Sequence, residues 1–190
     1  MDAQFLCEPL DEIPDLNKSY LVSPITKSTG LTHLMKLILC AAHDDKCIDI
    51  IKEKIKNNPE IINEKTDIGW TPLIIACRNC NTYSNIEIVK LLLNCKNINI
   101  NEYEHNGWTA LMFACRNSHT DSSIDTVKLL LDNPNIDINI QDSFGMTALM
   151  LTCCNSNTDS DIDTLKLLLN HPEDRKSTRL NSSHESPYRM

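Results

Sequence analysis

Gly69-Trp70-Thr71-Pro72-Leu73 returns as Gly107-Trp108-Thr109-Ala110-Leu111 and again as Gly145-Met146-Thr147-Ala148-Leu149, with 38 residues between successive starts. A strict period of this size means stacked copies of one small unit, each too small to bury its own apolar face. The copies agree well beyond the glycine. Ala76-Cys77-Arg78-Asn79 is matched by Ala114-Cys115-Arg116-Asn117, and Val89-Lys90-Leu91-Leu92-Leu93 by Val127-Lys128-Leu129-Leu130-Leu131 and Leu165-Lys166-Leu167-Leu168-Leu169. Each copy then runs into alternating Asn and Ile, as in Asn97-Ile98-Asn99-Ile100-Asn101 and Asn135-Ile136-Asp137-Ile138-Asn139.

Within a copy the pattern predicts two short helices. Leu73, Ile74, Ala76 and Cys77 set apolar atoms at helical spacing. Thr71 suits the N-cap, and Pro72 the first turn, where its missing N–H costs nothing. A second helix over about Ile86 to Leu93 carries one stripe of Ile86, Val89, Leu92 and Leu93. Helices this short are not stable alone, so neighbouring copies must cover them. The Asn- and Asp-rich segment tolerates turns, and its isolated Ile residues anchor an extended finger to the stack.

These residues resemble the ankyrin repeat: the Gly-x-Thr-Pro-Leu start, the inner-helix Ala, the Val-x-Leu-Leu-Leu outer helix and the Ile-Asn finger. The likeness runs from Gly30 to about Glu173. It implies an all-α fold, an ankyrin-repeat solenoid of stacked helix-turn-helix units with short hairpin fingers. Ile74, Met112 and Met150 stand where the family carries a histidine, so apolar packing is expected there. The period exceeds the usual length of about 33 residues. The surplus is polar and falls between the two helices, around Tyr83, His119 and Asp159. That long loop, with the Asn/Ile-rich composition, is similar to ankyrin-repeat proteins of giant DNA viruses of amoebae.

The expected organisation is a non-repeat lead-in over 1–29, four units over 30–68, 69–106, 107–144 and 145–173 (the last truncated), and a tail over 174–190. Gly30-Leu31-Thr32-His33-Leu34 opens a degenerate first copy. Glu53 and Lys54 replace the later Leu91 and Leu92, as suits a cap with one face towards water. Asp174 and Lys176 stand where counterparts of Ile136 and Ile138 are due. The run from Asp174 to His184 looks like a translated sequencing adapter and is set aside as non-native. On that reading the array continues beyond it, and Leu165, Leu168 and Leu169 are left uncovered.

Composition limits function. Lys and Arg total 18 against 26 Asp and Glu, a net charge of −8. Such acidity disfavours nucleic acid and anionic membranes as partners and mildly favours a basic protein. No signal peptide or apolar run of roughly 20 residues is present. Nine cysteines without an export signal read as reduced intracellular thiols. An intracellular, cytoplasmic monomer is expected, in the host cytoplasm if the protein is viral.

Chemistry is mostly lacking. Cys77, Cys115 and Cys153 recur with the fold period, which favours small buried hydrophobes over ligands. Cys77 and Cys80 form a lone CxxC without the second ligand pair that zinc requires. The histidines fall at unrelated repeat positions, and no glycine-rich phosphate loop exists. Asp159, Asp161 and Asp163 lack calcium-loop spacing. Neither an enzyme nor a cofactor or metal site is expected.

The resemblance instead implies a protein partner, met by finger tips and the concave inner-helix face. Carried onto this chain, the candidates are Trp70, Arg78, Tyr103, Glu104, His105, Trp108, Arg116, Gln141, Asp142 and Phe144. Aromatic anchors dominate interface energies, which singles out the two tryptophans, Tyr103 and Phe144. Packing against the next finger is an equal reading for Trp70 and Trp108. Arg78 and Arg116 can pair with partner carboxylates or with acids of a neighbouring loop. Leu131 to Asn139 resembles the pattern recognised by asparaginyl hydroxylases, making Asn139 a candidate modification site; its preferred reading is finger construction. The alternative function is a substrate-adaptor part of a larger protein whose active module lies elsewhere.

Overall fold

The computed structural model describes residues 30–41, 46–82, 84–120, 122–155, 160 and 162–172. The expected lead-in, the tail and Tyr83 lie outside them. The described residues hold helices α1 (His33–Cys40), α2 (Lys46–Asn57), α3 (Pro72–Arg78), α4 (Ile86–Leu93), α5 (Ala110–Arg116), α6 (Ile124–Leu131), α7 (Ala148–Asn155) and α8 (Ile162–Asn170), with a 3-10 turn at Pro59–Asn63. Odd-numbered helices form an inner layer in which α1 meets α3, α3 meets α5 and α5 meets α7. Even-numbered helices form an outer layer in the same order. Each consecutive pair makes one unit, and the core runs through the stack between the layers.

Threonine starts each inner helix. Thr32, Thr71 and Thr109 are extended N-caps whose hydroxyls accept from the N–H of Met35, Ile74 and Met112. Thr147 accepts from Met150 N–H at 3.4 Å. Capping of this kind satisfies a donor that the helix itself cannot. One apolar face was expected on α3, yet every residue from Pro72 to Cys77 is buried. The same holds from Ala110 to Cys115 in α5. An inner helix in mid-stack is covered by two inner neighbours and by its own outer helix, so no face is left to be polar.

Outer helices keep a wet side. In α4 the buried residues are Ile88, Val89 and Leu92, while Ile86 and Leu93 of the expected stripe are only half-buried. Glu87–Lys90, Asp125–Lys128 and Asp163–Lys166 form ion pairs on the solvent face at 2.7, 2.9 and 2.6 Å. Exposed pairs three residues apart add only tenths of a kcal/mol, about 0.5 at most. Their role is to keep this side soluble.

The two ends differ. Helix α2 buries only Cys47 and Ile51 along its length, and Glu53 is exposed. At the other end Leu168, expected to be uncovered, is buried, because it faces inward like its counterparts Leu92 and Leu130. Leu165 is half-buried where Val89 and Val127 are sealed, and Leu169 is 48% exposed, with Ile162 of the same helix at 52%.

The described stretches of the surplus loops are held by hydrogen bonds. Asn79 Nδ2 donates back to Ile75 O at 2.8 Å, and Asn155 Nδ2 to Leu151 O at 2.7 Å. The N–H groups of Ser84, Ser122 and Ser160 bond the carbonyls of Asn79, Asn117 and Asn155. Ser160 Oγ donates to Cys115 O at 2.8 Å, and Thr164 Oγ1 to Ser118 Oγ at 2.9 Å, tying the fourth unit to the third. Buried Asn and Ser thus make the loop part of the stack. His119 stays exposed.

Candidate functional site

The fingers are built from one repeated turn. Gly69, Gly107 and Gly145 take φ of 84°, 83° and 77°, a region that L side chains rarely adopt. Their N–H groups close the turn onto Thr66, Glu104 and Asp142 carbonyls at 2.9, 2.7 and 2.9 Å. Those three residues are themselves spaced by the repeat, and their side chains finish the job. Thr66 Oγ1 accepts from Trp70 N–H at 3.0 Å. Glu104 Oε1 accepts from the N–H of Asn106 and Trp108 at 2.9 and 3.2 Å, and Oε2 from Asn106 Nδ2 at 3.0 Å. Asp142 Oδ1 accepts from the N–H of Phe144 and Met146, both at 2.9 Å.

Glu104 and Asp142 were therefore misplaced on the partner face. At 4% and 7% exposure they are interior, with both Glu104 oxygens and Asp142 Oδ1 committed to the turn. A buried charge is tolerated when several N–H groups solvate it, and such a group has little left to offer a partner.

Trp70 needs the same correction, being 5% exposed. Its ring centroid lies 4.7 Å from that of Phe113 in the next unit, and the Trp108 ring lies 4.9 Å from the same phenylalanine. The Arg78 guanidinium sits over Trp70 at 5.7 Å and that of Arg116 over Trp108 at 5.5 Å. Arg78, Trp70, Phe113, Trp108 and Arg116 thus form a run that crosses the boundary between the second and third units. Each cation–ring contact is worth about 0.5–1 kcal/mol where partly exposed. Trp108, Arg78 and Arg116 are half-buried and engaged in this run. Phe113 was not singled out from sequence. Ile75 and Leu151 occupy its position in adjacent copies, so the repeat hides the aromatic.

What stands free is a rim. Tyr103 and Phe144 are 57% and 84% exposed, and His105 and Gln141 are exposed beside them. Neighbouring fingers are joined by His105 N–H to Ile68 O at 3.0 Å and Ser143 N–H to Asn106 O at 2.9 Å. Lys65 Nζ reaches Glu102 Oε2 at 2.6 Å from one finger to the next. These bonds join the described tips into one continuous edge. Within a finger the only β pairing among the described residues is the antiparallel bridge Tyr103–Thr109. Asn139 is exposed, its N–H bonded to Asp137 Oδ1 at 2.9 Å.

A second repeated device was also missed. Asn63 Nδ2 donates to Asn97 O at 2.6 Å while its Oδ1 accepts from Asn99 N–H at 2.9 Å. Asn101 does the same to Asn135 O at 2.7 Å and Asp137 N–H at 2.9 Å. The signal was available as Asn63, Asn101 and Asn139 in the repeat register.

The thiols serve packing. Burial raises the Cys77 pKa well above its ordinary value and pushes that of Cys115 up to about 12. Both stay protonated at neutral pH, and the thiolate is the reactive form. Cys153, expected at the same packed position, is exposed: among the described residues no further inner helix packs on α7 as α5 packs on α3 and α7 on α5. No group of three or more His, Cys, Asp and Glu residues that could hold a metal ion occurs among the described residues. No helix there is long and apolar enough to cross a membrane. A groove of about 490 Å³ in the first unit is lined by residues including His33, Lys54, Asn57 and Ile61. Burial, then Lys54 and Lys36, lowers the His33 pKa.

The family model for ankyrin repeats (three copies) matches residues 34–142 and 120–187. An ankyrin repeat protein of Acanthamoeba polyphaga mimivirus is 39% identical over 82 residues, which is 40% of this chain and 13% of that protein. A second ankyrin repeat protein of the same virus is 36% identical over 64 residues, 34% of this chain and 10% of its own length. The chain thus spans only a small part of the relatives it matches.

Proposed function

The chain belongs to the ankyrin-repeat family, and from that premise we propose that it is a non-catalytic scaffold holding a protein partner on its finger rim, rather than on the expected inner-helix face, where α3 and α5 bury Pro72 to Cys77 and Ala110 to Cys115. The observation that carries this reading is the exposure of Tyr103 and Phe144 on a rim whose framework is otherwise buried. Aromatic rings presented on a stiff edge lose little conformational freedom on binding, which is what an anchor needs. His105 and Gln141 add polar contacts along the same edge. The net charge of −8 favours a basic partner surface. We read the protein as an intracellular, cytoplasmic monomer whose nine cysteines are reduced thiols.

The test removes the rim without touching the framework. The full chain, immobilised, is offered a host-cell extract beside the double variant Tyr103→Ala/His105→Ala. The reading expects one defined protein to be retained by the parent and lost from the variant, with unchanged urea unfolding midpoints. Equal retention by both, or none by either, contradicts it. Trp108 is unsuitable for this purpose, because its ring packs on Phe113.

A second reading has its own support. The mimivirus relatives are far longer than the matched stretch, so this array can be the substrate-recognition part of a larger protein with activity elsewhere. Asn139 is read chiefly as finger construction; as a hydroxylation target it would show a 16 Da gain in the intact mass of protein isolated from its host.

A further inference from the structure

Charge is unevenly placed in this chain. Acids outnumber bases by 26 to 18, yet the inner helices α1, α3, α5 and α7 hold no Asp or Glu and carry Lys36, Arg78 and Arg116. The described acids stand on the outer helices and on the segments that follow them. Register puts the three cations on one side. Lys36 is the fourth residue after its capping Thr32, and Arg78 and Arg116 are the seventh after Thr71 and Thr109. Fourth and seventh positions lie one turn apart on one helix face. Phe113, fourth after Thr109, packs with Trp70 and Trp108 on that same side. Three cations and three rings thus share a strip across the first three units.

The fold leaves part of this charge unanswered. Each later outer helix matches its lysine to an acid three residues before it. Lys36 and Arg116, both half-buried, form no ion pair among the described residues. Arg78 makes further contacts within the molecule, which leaves Arg116 as the principal anchor. Its guanidinium lies 5.5 Å from the centre of the Trp108 ring. A stacked guanidinium directs its N–H groups outward in its own plane, an edge that fits the two oxygens of a carboxylate.

We propose that this strip binds an acidic protein segment, with Arg116 on its Trp108 platform taking one carboxylate and Lys36 adding a second point of attraction. Charge complementarity names the occupant. The net charge of −8 sets the long-range field, which salt screens beyond about 8 Å, while contacts are decided by the charge beside them. Helices packed side by side hold register positions roughly 8–10 Å apart, so carboxylates at that spacing can follow the strip from unit to unit. A polyproline II chain with an acid at every third residue repeats at about 9.3 Å and lays its acids on one side. The strip shares no residue with the rim of Tyr103, His105, Gln141 and Phe144, so the two surfaces stand or fall separately.

The test titrates the full chain into a fluorescein-labelled peptide, Pro-Pro-Glu repeated four times, and follows fluorescence anisotropy. The parent is expected to bind it, and to bind the Pro-Pro-Gln version at least about tenfold more weakly. Arg116→Gln should weaken binding of the Glu peptide at least about tenfold, and Lys36→Gln about threefold, as loss of charge-assisted contacts implies. Lys128→Gln removes the same charge from an outer helix and should leave binding unchanged. No binding by the parent, or equal losses in Arg116→Gln and Lys128→Gln, would overturn the proposal. So would tighter binding of a labelled oligothymidylate of equal charge, which would assign the strip to nucleic acid. Because Arg116 packs on Trp108, its variant is read beside an unchanged urea midpoint. Should that variant unfold, Lys36→Gln decides, and parental affinity there counts against the strip.

Discussion

Helices α5 and α7 come from nearly the same sequence and live in different surroundings. Ala110-Leu111-Met112-Phe113-Ala114-Cys115 is buried throughout, whereas Ala148-Leu149-Met150-Leu151-Thr152-Cys153 buries Ala148, Leu151 and Thr152 alone. Identity of residue does not decide burial here; position in the stack does. A repeat unit supplies half of two interfaces, and its side chains acquire their energetic worth only when the other half is present. The same holds for the rim. Glu104 and Asp142 are interior because the turn encloses them, while Tyr103, one residue away from Glu104, is open.

The sharpest way to break that contrast is paired truncation. Met112→Ala should cost about 2–5 kcal/mol through lost burial and a residual cavity, while Met150→Ala should stay within about 0.5 kcal/mol. Urea titrations of the two variants measure the difference. Similar costs would mean that the final face is as packed as the middle.

The turn offers a second pair. Gly107→Ala must push its Cβ against Asp142 backbone, and Gly145→Ala meets open space, although both carry the strain of positive φ. The first should lose about 2 kcal/mol or more and the second about 1 kcal/mol, as judged from backbone strain of 1–2 kcal/mol in this region. Glu104→Ala should cost about 1–3 kcal/mol, because the part-buried N–H groups of Asn106 and Trp108 lose their acceptor. A near-neutral Glu104→Ala would return this residue to the list of partner contacts.

A smaller effect appears with pH. The Cys115 pKa is raised by burial from 9.0 to about 12, so folding favours the protonated thiol. Its contribution is complete below the unfolded value and is lost as pH climbs through that window. The urea midpoint should therefore fall from about pH 9 upward, and Cys115→Ala should flatten the slope. At the bottom of the scale, Lys128→Ala removes an exposed ion pair and should shift stability by no more than about 0.5 kcal/mol.

The stack itself was legible from the period. The glycine-threonine start fixed where each inner helix begins, because a positive-φ residue followed by a capping hydroxyl leaves the chain few options. Four of the ten candidate contacts, Tyr103, His105, Gln141 and Phe144, lie on the exposed rim, and Asn139 is exposed as well. The remainder were hidden for a physical reason. Trp70 and Phe113 touch across a unit boundary, and nothing in one copy announces its neighbour's ring. Glu104 looks like any exposed acid until the turn places three N–H groups around it. The long loops read as polar and solvated, yet Asn79 and Asn155 fold back onto their own helices. Polar composition marks where backbone needs partners as readily as where water lies.

Hydrogen exchange resolved by peptide tests the central contrast most directly, because it reads each inner helix in one intact chain. Protection should be greatest in α3 and α5, and α7 should exchange at least about tenfold faster than α5, since local opening is cheaper where one interface is missing. Equal protection of α5 and α7 would contradict the claim that neighbours, rather than sequence, set the stability of each unit.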